Sequence, residues 1–390
     1  APAADPWLSR TMRAEVGLLL PERRIGLAAH DYQQAAAAPE VILSRAIKDA
    51  EAEPVPSRWL NRLMNLLSGL PETGGPVALN EMRARGARWL SLSKMLDAAE
   101  AVAPAQRPAP CPPVAARPRT LSVTAIETLI RDPYAIYARH VLGLRALDPL
   151  RPVADPRARG KALHAVFHRF LSDPGPRDRA RLLSLAAEEM AAQVPWPLAR
   201  RHWLARLESI AAWFLEEEAK RHDTCVASEV SGTLPVAEAD FTLKARADRI
   251  DRTPDGRLTV LDYKTGKPPS RPQMGKFSKQ LPLEALIAEA GGFAGVPAAP
   301  VATVAHYGLG PTPSYQPEGL FDDGKARLEP STVKAELILL LQAYRAPDQG
   351  YAARRAMEKE SYASDYDHLA RYGEWSDSDE AVRIRVGDHP

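Results

Sequence analysis

Two periodicities alternate along this chain. Apolar residues recur every three or four positions in Arg58-Trp59-Leu60-Asn61-Arg62-Leu63-Met64-Asn65-Leu66-Leu67 and in Trp89-Leu90-Ser91-Leu92-Ser93-Lys94-Met95-Leu96. That is the spacing of one helix face, so residues 1–103 are expected to be mostly helical. Trp59, Trp89, Trp196, Trp203 and Trp213 could stack on bases but at helical spacing are read as core. Thr124 and Glu127 stand at capping-box spacing and predict a helix start, interrupted at Pro133 and resumed over Tyr134 to Leu142. Further helices are expected near 157–172, 178–192 and 199–221. From about 225 the pattern changes to short strand-like runs at 226–234, 240–252 and 257–264. A helix near 275–290, a strand near 300–307 and a helix near 331–346 follow. Helices, a small meander, then helix and strand predict an α/β fold, a mixed sheet with helices packed on it.

The meander holds the candidate chemistry. Lys244-Ala245-Arg246-Ala247-Asp248-Arg249-Ile250-Asp251-Arg252 and Leu258-Thr259-Val260-Leu261-Asp262-Tyr263-Lys264 flank Pro254-Asp255-Gly256, a strong hairpin signal. A three-residue loop closes Thr253 against Arg257 and puts Asp248 directly opposite Asp262. A two-residue loop would pair Asp248 with Tyr263 and send the acids to opposite faces. In the first register, alternation also places Lys264 on the face of Asp262. Two facing carboxylates repel, and a bound cation removes that cost. Mg²⁺ is held by one or two carboxylates with water filling its other positions. Lys264 could orient or deprotonate an attacking water, or stabilise developing negative charge. These are the parts required to hydrolyse a phosphodiester.

Composition narrows the setting. The chain has 390 residues, 45% of them hydrophobic and 26% charged, which suits two or three globular domains. A net charge of +2 does not argue for nucleic acid, so a DNA binder of this composition must gather its basic residues on one surface. Six of the 36 prolines fall in the 16 residues 104–119 (PAQRPAPCPPVAARPR), expected to be an extended linker between a helical region, 1–103, and a second domain, 120–390. The two cysteines, Cys111 and Cys225, form no Cys-x-x-Cys pair, which excludes a zinc ribbon or four-thiolate cluster within this chain. Low cysteine usage is compatible with a reducing cytoplasm, the location expected. No apolar run reaches the roughly 18 residues of a membrane span, and Ala1-Pro2-Ala3-Ala4-Asp5 has no signal-peptide pattern. A Gly-x-x-x-x-Gly-Lys-Ser/Thr loop is absent, so these residues alone are not expected to form an ATP-driven motor.

Ala247-Asp248-Arg249-Ile250-Asp251 and Asp262-Tyr263-Lys264-Thr265-Gly266, with Gly160-Lys161-Ala162-Leu163-His164 upstream and Gln280-Leu281-Pro282-Leu283-Glu284 downstream, resemble the RecB-type branch of the PD-(D/E)XK nucleases. All four motifs stand in that branch's order. The resemblance implies a restriction-endonuclease-like core with helical additions. It also implies Mg²⁺ (Mn²⁺ as a possible substitute) held by Asp248, Asp262, the Tyr263 carbonyl and His164. Lys264 would be catalytic, and Gln280 would place DNA or active-site groups. Glu229 is a weaker candidate, left outside the expected site, and His168 is expected to be structural.

More narrowly, the chain resembles the C-terminal portion of the AddB family of helicase–nuclease subunits. The likeness rests on Pro21 through Asp31, Ile42-Leu43-Ser44-Arg45-Ala46, Ser57-Arg58-Trp59-Leu60, Ser122 through Glu127, Asp132-Pro133-Tyr134 and Tyr366 through Arg371. It implies that 1–103 is a remnant of a helicase-like region. It further implies DNA as substrate, an AddA-type partner, exonuclease action behind a motor, and recombinational repair of double-strand breaks. The alternatives are a stand-alone RecB-like nuclease and a non-enzymatic DNA-binding subunit with a degenerate site. Many of these proteins hold an iron–sulfur cluster through a Cys just before the Pro-Tyr pair and a later Cys group. Here Asp132 occupies the first position and no Cys follows Cys225, so no cluster is expected.

Overall fold

The computed structural model describes residues 7–19, 22–48, 53–100, 102–320, 328–357 and 363–387; Pro21 and Ala1 to Asp5 lie outside them. The chain divides into two units, Ala1–Val102 and Ala103–Pro390. The first contains helices α1 (Arg10–Glu15), α2 (Glu22–Ala36), α3 (Arg58–Ser68) and α4 (Gly75–Leu96). Ser57 caps α3 by accepting the Leu60 N–H at 3.2 Å. Among the described residues of this unit, Leu79 is the one buried large apolar side chain. Trp89, read from its spacing as core, is 59% exposed, because α3 and α4 are too few to enclose every apolar residue they carry.

The second unit opens with β1 (Pro108–Cys111), β2 (Thr120–Ser122), α5 (Val123–Arg131) and α6 (Pro133–Ile136), then α7 (Pro156–Ser172), α8 (Arg179–Gln193) and α9 (Pro197–Ala219). Strands β3 (Thr224–Val236), β4 (Phe241–Arg252) and β5 (Leu258–Lys264) form the meander. Helices α10 (Arg271–Lys276) and α11 (Gln280–Glu289), strands β6 (Val301–Gly308) and β7 (Ser314–Gly319), helix α12 (Pro330–Ala343) and strand β8 (Val382–Arg385) complete it. The main sheet is mixed, ordered β2-β4-β5-β6-β7, with β3 also paired to β4. The helix expected over 275–290 is broken at Phe277 to Lys279, and β7 lacked a clear signal because its pattern is only half-buried.

Alternation along β5 sorts the two cores. Leu258 and Val260 face α5, α11 and α12, whereas Leu261 and Tyr263 face α7, α8 and α9. Tyr263 lies stacked between Phe167 at 4.8 Å and Tyr307 at 5.6 Å, and such aromatic pairs add about 0.5–1.5 kcal/mol beyond area burial. Asp262 and Lys264 therefore share the α11 face.

Residues 104–119 do not form a free linker. β1 pairs in parallel with β8, and Arg107 and Arg117 are buried. Prolines keep this stretch extended but remove its own backbone donors. Arginine side chains anchor it instead. Arg107 donates to the carbonyls of Ala353, Arg354, Asp377 and Asp379, and Arg117 to those of Pro112, Tyr344, Ala346 and Pro347.

A polar network joins the two ends of this unit. Asp132 accepts the Arg354 N–H at 3.0 Å and the Ser364 hydroxyl at 2.9 Å. The buried Arg354 guanidinium contacts Asp377 at 3.1 Å and lies 3.9 Å from the Tyr372 ring centroid. The cap of α5 also differs from the expected box. Ser122 accepts the Ala125 N–H at 3.1 Å, ahead of the expected Thr124 cap, which frees Glu127 to act elsewhere.

Candidate active site

The hairpin closes through the three-residue loop. Thr253 N–H donates to the Arg257 carbonyl at 2.9 Å, and Gly256 takes φ 88°. Arg249 pairs with Leu261, which makes Asp248 and Asp262 next in register. The ladder ends there. Asp248 does not meet Asp262 as a strand pair; its Oδ2 accepts the Tyr263 N–H at 2.9 Å. Two carboxylates in direct opposition repel, and where the strands part Asp248 satisfies the backbone donor left behind.

His164, on one face of α7, reaches the same point. Its Nε2 lies 3.0 Å from the Tyr263 carbonyl oxygen, and its Nδ1 lies 3.1 Å from Asp248 Oδ1 and 3.5 Å from Glu229 Oε1. Burial alone would lower the His164 pKa, but Asp248 and Glu229 raise it to about 10. With no cation bound, the ring is held as an imidazolium between two carboxylates and a carbonyl; coordinating a cation would require its neutral form. Burial, with repulsion from Asp262, pushes the Asp248 carboxyl up.

Glu229 belongs to this cluster although its sequence context placed it outside. Ser228 pairs with Arg249 and Val230 with Ala247, leaving Glu229 beside Asp248 across the sheet. Its φ of 50° is a strained backbone for a non-glycine residue, of order 1–3 kcal/mol. The signal was unreadable in sequence because the β3–β4 connection has no turn motif to set the register. His168 bonds Ser228 at 2.7 Å and stays out of the cluster.

A second triangle adjoins the first. Lys264 Nζ lies 3.1 Å from Asp262 Oδ1 and donates to Gln280 Oε1 at 2.9 Å, while Gln280 Nε2 donates to Asp262 Oδ1 at 2.8 Å. Asp262 is 2% exposed. Burial would lower the Lys264 pKa, yet Asp262, Asp248 and Glu127 together hold it above the ordinary value, so the side chain is an ammonium. Gln280 opens α11, where its backbone N–H has no partner within the helix. Glu127 of α5 accepts that N–H at 2.9 Å. Asp262 faces His306 across β5 and β6, and burial pushes the His306 pKa down to about 4, leaving that ring neutral.

Glu284, one turn along α11, is fully buried and accepts from Gln280 Nε2 at 3.2 Å. Burial, then Asp262 and Asp248, raise its pKa well above the ordinary value. Stability from such a raised acid is complete below the unfolded-state value and is lost as pH rises toward the folded one. Glu284→Gln should therefore leave the melting temperature unchanged near pH 4 and raise it at pH 8. The gain should grow by about 1.4 kcal/mol per pH unit while only the unfolded chain ionises. Thermal melts across that range check it; a gain independent of pH would show that Glu284 is ionised in the fold.

Among the described residues, His164, Glu229 and Asp248 are three potential ligands whose donor atoms all lie within 4.8 Å of one another. With the Tyr263 carbonyl alongside, this set of mostly hard oxygens plus one imidazole fits Mg²⁺ or Mn²⁺. Residues 120–374 match the model of the PD-(D/E)XK nuclease superfamily. The chain belongs to the PD-(D/E)XK nuclease superfamily. Among curated proteins, the chain is similar to an uncharacterized protein of Rickettsia conorii, 28% identical over 189 residues, covering 45% of this chain and 23% of that protein. A Streptococcus mutans protein named as a subunit of an ATP-dependent helicase/deoxyribonuclease is 30% identical over 159 residues, covering 39% of this chain and 14% of that protein. The same-named Streptococcus agalactiae protein is 29% identical over 157 residues, 38% of this chain and 14% of its own. The chain thus spans less than a quarter of the length of these relatives. A mixed sheet with helices on both faces carries the motif residues on adjoining strands. No helix among the described residues is long and apolar enough to cross a membrane.

Proposed function

We propose that this chain is the nuclease portion of an AddB-type subunit, hydrolysing DNA phosphodiesters with Mg²⁺ while an AddA-type partner supplies the motor for double-strand break repair. The observation that carries this reading is the meeting, around Tyr263, of a His164–Glu229–Asp248 ligand cluster with the Lys264–Asp262–Gln280 triangle. The streptococcal relatives named as helicase/deoxyribonuclease subunits support a nuclease that acts with a motor.

In this reading His164, Glu229, Asp248 and the Tyr263 carbonyl would hold the ion. Asp262, expected from the sequence as a ligand, stands outside that cluster, engaged by Lys264 and Gln280 beside it. When bound, the cation supplies Lewis acidity toward a phosphate oxygen and an attacking water. Lys264, a fixed ammonium in a half-buried setting, stabilises negative charge developing on the phosphate. Gln280 holds Lys264 and Asp262 in one geometry, and Glu127 holds Gln280. The motor lies outside these residues, which lack a phosphate-binding loop motif.

The test is degradation of linear DNA by the purified chain, alone and with an AddA-type subunit. Cleavage should require Mg²⁺ or Mn²⁺, stop with EDTA, and be lost in Asp262→Asn. Absence of metal-dependent cutting in both settings, or undiminished cutting by Asp262→Asn, would sink the reading.

A further inference from the structure

One cavity opens on the Lys264 triangle and a second adjoins the first. One, of about 410 Å³, is lined by Lys264, Lys267, Arg131, Gln273, Ser278 and His306. The other, of about 520 Å³, is lined by Arg131, Arg139, His140 and Arg157 together with Thr124 and Tyr366. Glu127 and Arg131 contribute to both walls, so the cavities adjoin. Each is of the size that receives a small ligand, and together they run from β5 past α5 to the first turn of α7.

Their charge is one-sided. Arg139, Arg157 and Lys267 are exposed, and none forms an ion pair with a described residue. The carboxylates on the walls are Glu127, Asp132 and Asp365. Glu127 is engaged by the Gln280 N–H, and Asp132 by Arg354 and Ser364, which leaves Asp365 at the rim. The chain as a whole is nearly neutral, so these three cations gathered in adjoining cavities are a local arrangement and not a consequence of composition. His306 adds a second sign of a ligand. It is 3% exposed, lines the inner cavity, and its Nδ1 has no hydrogen-bond partner. A buried polar atom without a partner calls for one, and a ligand entering the cavity can supply it.

We propose that these adjoining cavities are the track of a single nucleic-acid strand, with Arg131 and Lys267 holding the phosphate beside Lys264 and Arg139 and Arg157 holding phosphates farther along. The proposal rests on the nuclease reading for the identity of its ligand and names the path that ligand takes. A backbone of successive phosphates matches cations spread along a groove. A free nucleotide shares the phosphate chemistry but would occupy only one cavity.

The experiment uses the full chain in EDTA, where no cleavage occurs. Binding of a fluorescent oligo-dT strand is measured against KCl concentration for wild type and for Lys267→Gln/Arg139→Gln/Arg157→Gln, whose three sites are exposed. Each lost phosphate contact lowers the slope of log K against log salt by about 0.7 for single strands. The triple variant should therefore lose about 2 in slope and, at 0.1 M salt, bind roughly 100-fold more weakly. An unchanged slope and affinity, or no oligo-dT binding by wild type, overturns the track. Competition by dTMP as effective as by oligo-dT overturns it in favour of a mononucleotide site. Cleavage in Mg²⁺ is scored separately. Wild type that cuts while the triple variant binds normally leaves the nuclease reading standing and removes the track. Wild type that binds through these cations but never cuts does the reverse.

Discussion

Lys264→Gln should lower the single-turnover rate of Mg²⁺-dependent DNA hydrolysis by about 10²–10³-fold, the loss typical when one preorganised charge-stabilising donor is removed. Glutamine keeps hydrogen-bonding capacity toward Asp262 and Gln280, so the change isolates the charge. Strand binding should be little altered, because Lys267 and Arg131 still line the adjoining cavity. A fall in rate with an unchanged KM places the Lys264 contribution in the transition state. Rates within about threefold of wild type would take Lys264 out of the chemistry. The ammonium is held by three acids, Asp262, Asp248 and Glu127, so its charge is available across the neutral range.

Arg249→Met is expected to have the largest effect on stability. Arg249 directly follows Asp248, and alternation sends its side chain to the opposite face of β4. There it is buried, with Asp251 at 2.6 Å and Glu218 of α9 at 2.8 Å. Asp251 is fully buried and also bonds Arg221 at 2.6 Å, and Glu218 also receives the Tyr307 hydroxyl. Removing Arg249 leaves two acids short of their cation. Breaking a buried pair by deleting one partner costs about 3–5 kcal/mol. In a unit of this size that lowers the melting temperature by on the order of 10 °C. Denaturant unfolding and thermal melts measure it. A melting temperature equal to wild type would mean that Arg221 alone neutralises this cluster. Because Arg249 also approaches the Tyr263 hydroxyl at 3.4 Å, the same network steadies the strand that carries Asp262 and Lys264.

Glu127 shows why part of the site could be read in advance and part could not. Its three-residue distance from Thr124 suggested a local cap, yet its carboxylate serves a helix start 153 residues away. The strand and helix pattern from α7 to β6 was legible because each element carries its own periodicity and buries one face. The broken helix before Gln280 was not, since Pro282 is tolerated in a first turn and gives no stop signal. The proline-rich stretch was legible as extended chain but not as packed chain. Its attachment depends on Arg107 and Arg117 finding carbonyls from residues 344–379.

Sequence alone determined the hairpin, because Pro254-Asp255-Gly256 specifies a turn through local backbone preferences. It left two- and three-residue loops open, and the Thr253–Arg257 closure in the folded chain selected the three-residue one and its register. From that turn, alternation placed Asp262 and Lys264 on one face and Arg249 on the other. Tertiary structure alone decided that Glu229 joins His164 and Asp248, that Asp248 turns to the Tyr263 N–H, and that Glu127 supports Gln280. Those contacts link segments far apart in the chain, so they exist only once burial of the two cores has set the helices against the sheet.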